Sequence, residues 1–230
     1  MRWHRGAVAV TLAGVAACKG GDAPPLTTLA DSASYAVGMN MGASLRQVKD
    51  EIRMDALVQG IRDMAQGDTT RLTEADAMRV LQTFAAAVRE RQEGGRTAMA
   101  DSNTRAGDAY RTENGQRPGV QTTASGLQYE VLTAGNGPRP TASDRVRVHY
   151  RGTLIDGKEF DSSQRTGQPV TFEVGGVIGG WTEALQLMPV GSKYRLVIPP
   201  ALAYGPQGAP PDIGPNATLI FEVELLGIEQ

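Results

Sequence analysis

The chain has 230 residues, 40% hydrophobic and only 5% aromatic, with a formal net charge of -2. That composition suits one or two globular domains and excludes a membrane bundle or a fully disordered chain. No long run of Lys or Arg follows the first few residues, so a nucleic-acid partner has no electrostatic footprint.

The opening residues, MRWHRGAVAVTLAGVAAC, set Arg2 and Arg5 before an apolar run. At about twelve residues, that run is shorter than the roughly 20 a membrane-crossing helix needs. This is the layout of an export signal. Val15-Ala16-Ala17-Cys18 resembles the bacterial lipobox, whose cysteine thiol takes the lipid, and Cys18 is the chain's only cysteine. A lone thiol serves no disulfide framework. The expectation is a lipoprotein signal peptide over residues 1–17 and lipidation at Cys18. It makes the chain an exported bacterial lipoprotein, periplasm-facing or at the cell surface, with the outer membrane as the first choice. Without residues 1–17 the net charge is about −4. Residues 18–30, including KGGDAPPLTT, read as a flexible tether.

Residues 31–115 show no strand alternation and are dominated by Ala, Met, Leu, Arg and Glu, which predicts helices. Asp31 or Ser32 is the expected cap of a first helix carrying Tyr35, Met39, Gly42 and Leu45 at three-to-four spacing. A second, MDALVQGIRDMAQG, puts Leu57, Ile61 and Met64 on one side and ends at Gly67. A third starts at Thr73, with Asp76 at the capping-box offset and a stripe of Met78, Leu81, Ala85 and Val88. Gly94-Gly95 and Ser102-Asn103 each weaken that helix, and a break there is expected, each Gly costing up to about 1 kcal/mol. Three pieces of this size hold little core of their own, so their stripes are expected to bury against a second copy in a homodimer. A small monomeric helical domain or a linker is the alternative.

From Gly126 the period changes to two. Leu127, Tyr129 and Val131 share a face; Val146, Val148 and Tyr150 alternate with Arg145, Arg147, His149 and Arg151. Tyr194, Leu196 and Ile198 fall together, as do Leu219, Phe221, Val223 and Leu225. Residues 155–158, Ile-Asp-Gly-Lys, make a hairpin turn, and GWTEALQLM is a short helix between strands. The fold class is α+β: a C-terminal antiparallel sheet wrapped around one short helix over residues 116–230, preceded by the all-α dimerisation domain.

Acid, base and ligand chemistry is scarce in this half. Only His4 and His149 exist. His4 leaves with the signal, and His149 falls on the outward side of its strand. Ser162-Ser163 has no G-x-S-x-G elbow around it. Gly175-Gly176 and Gly179-Gly180 are followed by no Lys-Ser/Thr. Neither a metal nor a cofactor is expected. What the domain has is apolar and aromatic side chains on elements expected to converge: Tyr150, Phe160, Phe172, Val177, Ile178, Trp181, Tyr204, Ile213 and Phe221.

VHYRGTLIDGKEFDSS, VTFEVGGVIGGWTEAL and PPALAYGPQGAPPDIGPNATLIFEVELL, in that order, resemble the FKBP-type peptidyl-prolyl cis-trans isomerases from about Ser125 to the end. The upstream half, with SYAVGMNMG and ENGQRPGVQTTASGLQYEVL, is similar to the bacterial macrophage-infectivity-potentiator branch, whose amino-terminal domain dimerises. The resemblance implies a proline-binding pocket with Trp181 as floor and Tyr150, Phe160, Val177, Ile178 and Phe221 as walls. Asp161 and Tyr204 form its polar rim in that reading, with Tyr204 donating to a substrate carbonyl and Ile178 offering its backbone N–H. Ile213 and Val170 complete the substrate-contacting set, Val170 standing where the small single-domain members have a Phe. Ala209 stands where those members carry a histidine. The implied substrates are proline-containing polypeptides, and the implied inhibitors are macrolides. The competing class is a lipid-anchored chaperone or proline-peptide binding module with little isomerase activity.

Overall fold

A computed structural model describes residues 25–229; the expected signal peptide and Cys18 lie outside them. The chain forms two compact units, residues up to Ala77 and residues from Met78 onward.

The first unit holds α1 (Leu29–Leu45), α2 (Met54–Gln66) and the first turn of α3 (Glu74–Gly115). The cap of α1 is Thr28, not Asp31 or Ser32. Thr28 Oγ1 accepts from Asp31 N at 3.1 Å while Asp31 Oδ2 accepts from Thr28 N at 2.8 Å. Asp31, the third residue of the helix, is thus the reciprocal partner in a capping box. α2 closes on Gly67 at φ 74, as its sequence indicates. Thr73 Oγ1 accepts from Asp76 N at 3.1 Å at the start of α3. Among the described residues of this unit none is buried, and Tyr35, Met39, Ile61 and Met64 are exposed.

The expected break in α3 is absent: the helix runs unbroken for 42 residues. Two mid-helix glycines cost about 2 kcal/mol together. Long-range anchors beyond them offset that cost, because Arg96, Asn103 and Arg111 all bond to residues more than 100 positions away. Asn103 spends its side chain on Pro215 O at 2.8 Å and so does not compete for its own helix backbone.

The second unit is built on an antiparallel sheet of β1 (Val120–Thr122), β2 (Gln128–Thr133), β3 (Arg145–Leu154), β4 (Glu159–Ser162), β5 (Val170–Glu173), β6 (Lys193–Ile198) and β7 (Leu219–Glu229). The order is β1-β2-β6-β7-β3-β4, with β5 also on β3. The helix α4 (Gly179–Leu187) lays Trp181, Ala184 and Leu185 on the sheet's inner face. That face carries Val146, Val148, Leu196, Ile198, Leu219, Val223 and Leu225, all at most 1% exposed, as the period-two pattern predicts. The pattern misleads on β2. Leu127 is buried, but Val131 is 40% exposed, next to a bulge between Val131 and Thr133. On the other face Gln128 is buried, accepting from Asn114 Nδ2 at 2.9 Å and donating to Arg111 O at 2.8 Å. The end of α3 covers that face and supplies polar partners, which makes a buried glutamine stable there.

Candidate active site

Alternation along β3 turns Val146 and Val148 into the core and delivers Tyr150 at the same side two residues on. The hairpin after β3 reverses through Gly157 at φ 88, with Leu154 N donating to Lys158 O at 2.9 Å, and so returns Phe160 and Asp161 beside Tyr150. β5 contributes Phe172, the turn into α4 contributes Val177 and Ile178, and α4 contributes Trp181. β7 adds Phe221. A loop from Pro199 to Thr218 adds Tyr204, Ala209, Asp212 and Ile213. Together they enclose a cavity of about 660 Å³.

Trp181, 4% exposed, lies at the bottom of this cavity. Its ring meets Tyr150 and Phe221 at 5.3 Å and Phe172 at 5.6 Å, with interplanar angles of 80 to 85°. Such edge-to-face contacts each contribute about 0.5–1.5 kcal/mol beyond area burial and hold ring orientation. Trp181 Nε1 has no hydrogen-bond partner among the described residues, and the faces of the indole ring offer the cavity an apolar surface. Phe160 and Phe221 stand at 5.4 Å and 86° to each other, and Gly152 lies beneath both. A Cβ at Gly152 would fall 2.7 Å from Phe160 Cζ and 2.7 Å from Phe221 Cε1, so only glycine lets these two walls close together.

The polar groups sit at the rim. Tyr150 Oη donates to Asp161 Oδ2 at 2.7 Å, and Asp161 Oδ1 accepts from Ser162 N at 2.9 Å. Burial, then the hydrogen bond to Asp161, push the Tyr150 phenol well above its ordinary value near 10, so it stays a neutral donor across physiological pH. Lys158 Nζ reaches Asp212 Oδ1 at 3.4 Å from the hairpin to the loop. Tyr204 is 42% exposed, leaving its hydroxyl open to a ligand. His149 is not part of the lining; its Nδ1 bonds Ser163 Oγ at 3.1 Å. Ser163, 2% exposed, is bound to the Tyr150 backbone by accepting from its N–H at 2.9 Å and donating to its carbonyl at 3.2 Å. It anchors β4 rather than offering a nucleophile.

Of the residues expected at the site, Asp161, Tyr204, Trp181 and Phe221 line the cavity, as do Tyr150, Phe160, Val177, Ile178 and Ile213. Val170 does not. It pairs with Val148 at the start of β5, and Phe172, opposite Val146, reaches the cavity instead. The two share a strand face, and of the pair it is Phe172 that puts an aromatic ring into the cavity. Gly176 and Asp212 also line the cavity without having been assigned to it. Asp212 was legible as the one ionisable side chain in the Gly/Pro loop; Gly176 gave no signal. Cys18 lies outside the described residues.

Residues 137–226 match the family described as FKBP-type peptidyl-prolyl cis-trans isomerase, and residues 30–131 match the domain amino terminal to it. The outer membrane protein MIP of Legionella longbeachae is 42% identical over 209 residues, spanning 91% of this chain and 90% of that protein. The FKBP-type 22 kDa peptidyl-prolyl cis-trans isomerase of Escherichia coli is 44% identical over 206 residues, 89% of this chain and 98% of its own length. The crystal structure of FkpA from Escherichia coli superposes with a TM-score of 0.69 at 39% identity, covering 89% of this chain and 99% of that one.

Proposed function

The chain belongs to the FKBP-type peptidyl-prolyl cis-trans isomerases, and we propose that it assists exported polypeptides to fold by binding the twisted X-Pro amide in the Trp181 cavity. The observation that carries the mechanism is the composition of that cavity: Tyr150, Phe160 and Phe172 set edge-on around Trp181 and Phe221, with carboxylates and phenol hydroxyls confined to the rim.

Rotation about an X-Pro bond makes and breaks no covalent bond. Its barrier is about 18–20 kcal/mol because resonance gives the C–N bond double-bond character, and uncatalysed it takes tens to hundreds of seconds. The planar amide is the more charge-separated form, so moving it from water to an apolar cavity raises its energy relative to the twisted form. A thousandfold acceleration requires about 4 kcal/mol. Trp181 supports the pyrrolidine ring in this reading, Tyr204 donates to a substrate carbonyl, and Asp161 holds the Tyr150 hydroxyl away from the amide. The test is the cis-to-trans rate of a Leu-Pro peptide with and without the purified protein. Acceleration with a solvent deuterium effect near unity is expected. No acceleration by folded protein would move the function to proline-peptide binding, and a several-fold isotope effect would rule out catalysis without proton transfer.

The exposed Tyr35, Met39, Ile61 and Met64 of a unit with no buried described residue favour a homodimer joined through that unit. A relative named as an outer membrane protein supports an exported, membrane-associated chain, with Cys18 as the lipidated residue. Light scattering of a micromolar solution and mass analysis of the native amino terminus decide these two points. A monomer sinks the first, and an unmodified Cys18 sinks the second.

A further inference from the structure

The loop from Pro199 to Thr218 contributes Tyr204, Ala209, Asp212 and Ile213 to the cavity. Within it two short turns close through Leu202 N to Pro199 O, Ala203 N to Pro200 O and Gly208 N to Gly205 O at 3.0 to 3.3 Å, and Lys158 reaches Asp212 from the hairpin. Ala209 and Ile213 exchange backbone bonds at 2.8 and 3.0 Å, and Asn216 N donates to Gly205 O at 2.9 Å. Much of its further anchorage comes from α3. Arg96 donates to Pro206 O at 3.1 Å and to Gln207 Oε1 at 2.8 Å. Asn103 Nδ2 donates to Pro215 O at 2.8 Å, and Thr104 Oγ1 accepts from Asn216 Nδ2 at 3.2 Å. Arg111 Nη1 donates to Thr218 Oγ1 at 2.7 Å.

Positions 96, 103 or 104, and 111 recur at seven or eight residues, two helical turns, and therefore share one face of α3. Gly107 lies on the same stretch. A Cβ there would overlap Thr218 Oγ1 and come within 3.2 Å of Thr218 Cβ, so the helix backbone lies directly against the loop's end. Neither Arg96 nor Asn103 lines the cavity.

We propose that α3 is a brace for the active site, with Arg96 and Asn103 as positioning residues that hold the loop so that Tyr204, Ala209 and Ile213 stay in place to receive the prolyl segment. This rests on the isomerase reading of the cavity. If the brace is loosened, the loop occupies its binding-competent form for a smaller fraction of the time. Apparent affinity falls by that fraction, while a substrate that has bound re-forms the same site. The signature is a raised KM with an unchanged kcat.

The test compares the full chain with the Arg96→Ala/Asn103→Ala double variant and with the conservative Arg96→Lys/Asn103→Gln pair. The alanine variant is expected to raise KM for a Leu-Pro peptide about fivefold, with kcat within twofold. Amide exchange at Ala209, Ile213 and Asn216 is expected to quicken while Val223 and Leu225 in β7 stay protected. The conservative pair is expected to recover most of the lost affinity. An unchanged KM overturns the proposal whatever the loop does, and faster exchange in β7 as well overturns it by showing general loss of stability. Should the parent chain itself fail to accelerate isomerisation, the enzymatic reading fails separately. The peptide's dissociation constant, measured calorimetrically on the same variants, then decides the brace.

Discussion

Asp161→Ala is expected to lower kcat/KM for a Leu-Pro peptide tenfold or more, about 1.4 kcal/mol or above in transition-state stabilisation, with the melting temperature lowered by only a few degrees. Asp161 is exposed and contributes no packing, so the stability cost is that of lost hydrogen bonds, on the order of 1 kcal/mol. Its effect on rate runs through Tyr150. The carboxylate fixes the phenol hydroxyl at 2.7 Å; without it the hydroxyl recruits water at the cavity mouth, and the amide is no longer fully desolvated when it twists. Asp161→Asn keeps one acceptor oxygen and is expected to fall between the two. Tyr150→Phe removes the same hydroxyl from the other side, so in a double variant with Asp161→Ala the losses should not add. A rate within twofold of the parent in Asp161→Ala would remove this residue from the mechanism.

The second large effect is at the cavity floor. Trp181→Ala is expected to destabilise the domain by about 3–5 kcal/mol, the usual range for deleting a buried Trp or Phe. It is also expected to reduce kcat/KM at least a hundredfold, because Tyr150, Phe172 and Phe221 lose the ring that orients them. Trp181→Phe separates the two consequences. The indole N–H has no partner among the described residues, so its removal breaks no hydrogen bond made there, and a smaller ring keeps part of the apolar floor. Urea titration should place Trp181→Phe within about 2 kcal/mol of the parent, with activity clearly above the alanine variant. Equal loss in both variants would mean that the floor depends on the indole's full area rather than on an aromatic surface as such.

Much of the sheet was readable because its inner face is continuous: the alternation along β3 and β7 places Val146, Val148, Leu219, Phe221, Val223 and Leu225 in the core, and in β6 Leu196 and Ile198 follow it, although Val197 on the other face is buried as well. The resemblance to the isomerase family named the side chains that the structure gathers around the cavity, with Val170 the exception. What escaped the sequence depends on partners far along the chain. Gly94-Gly95 reads locally as a weak point, and the contacts that hold α3 straight are made to residues 206 to 218. Gln128 reads as polar and outward until Asn114 and the Arg111 carbonyl are seen to receive it. The Tyr150–Asp161 bond joins neighbouring strands whose register a turn and a bulge determine, and no pairwise pattern in sequence announces it. Thr28 was missed for a local reason: Asp31 is itself a good cap, and the choice between them is made by the carboxylate reaching back.

The borders of the sheet bear on how such a protein survives its own work. One border is β1, three residues long; the other is divided between β4 and β5, four residues each, both paired to β3. A long, flat border of unpaired amides is a template on which any extended polypeptide can add itself as a further strand. A protein that spends its time among incompletely folded chains meets such polypeptides constantly. Borders this short offer too few successive backbone groups for a stable ladder, so the sheet gives an extended chain little on which to nucleate an aggregate.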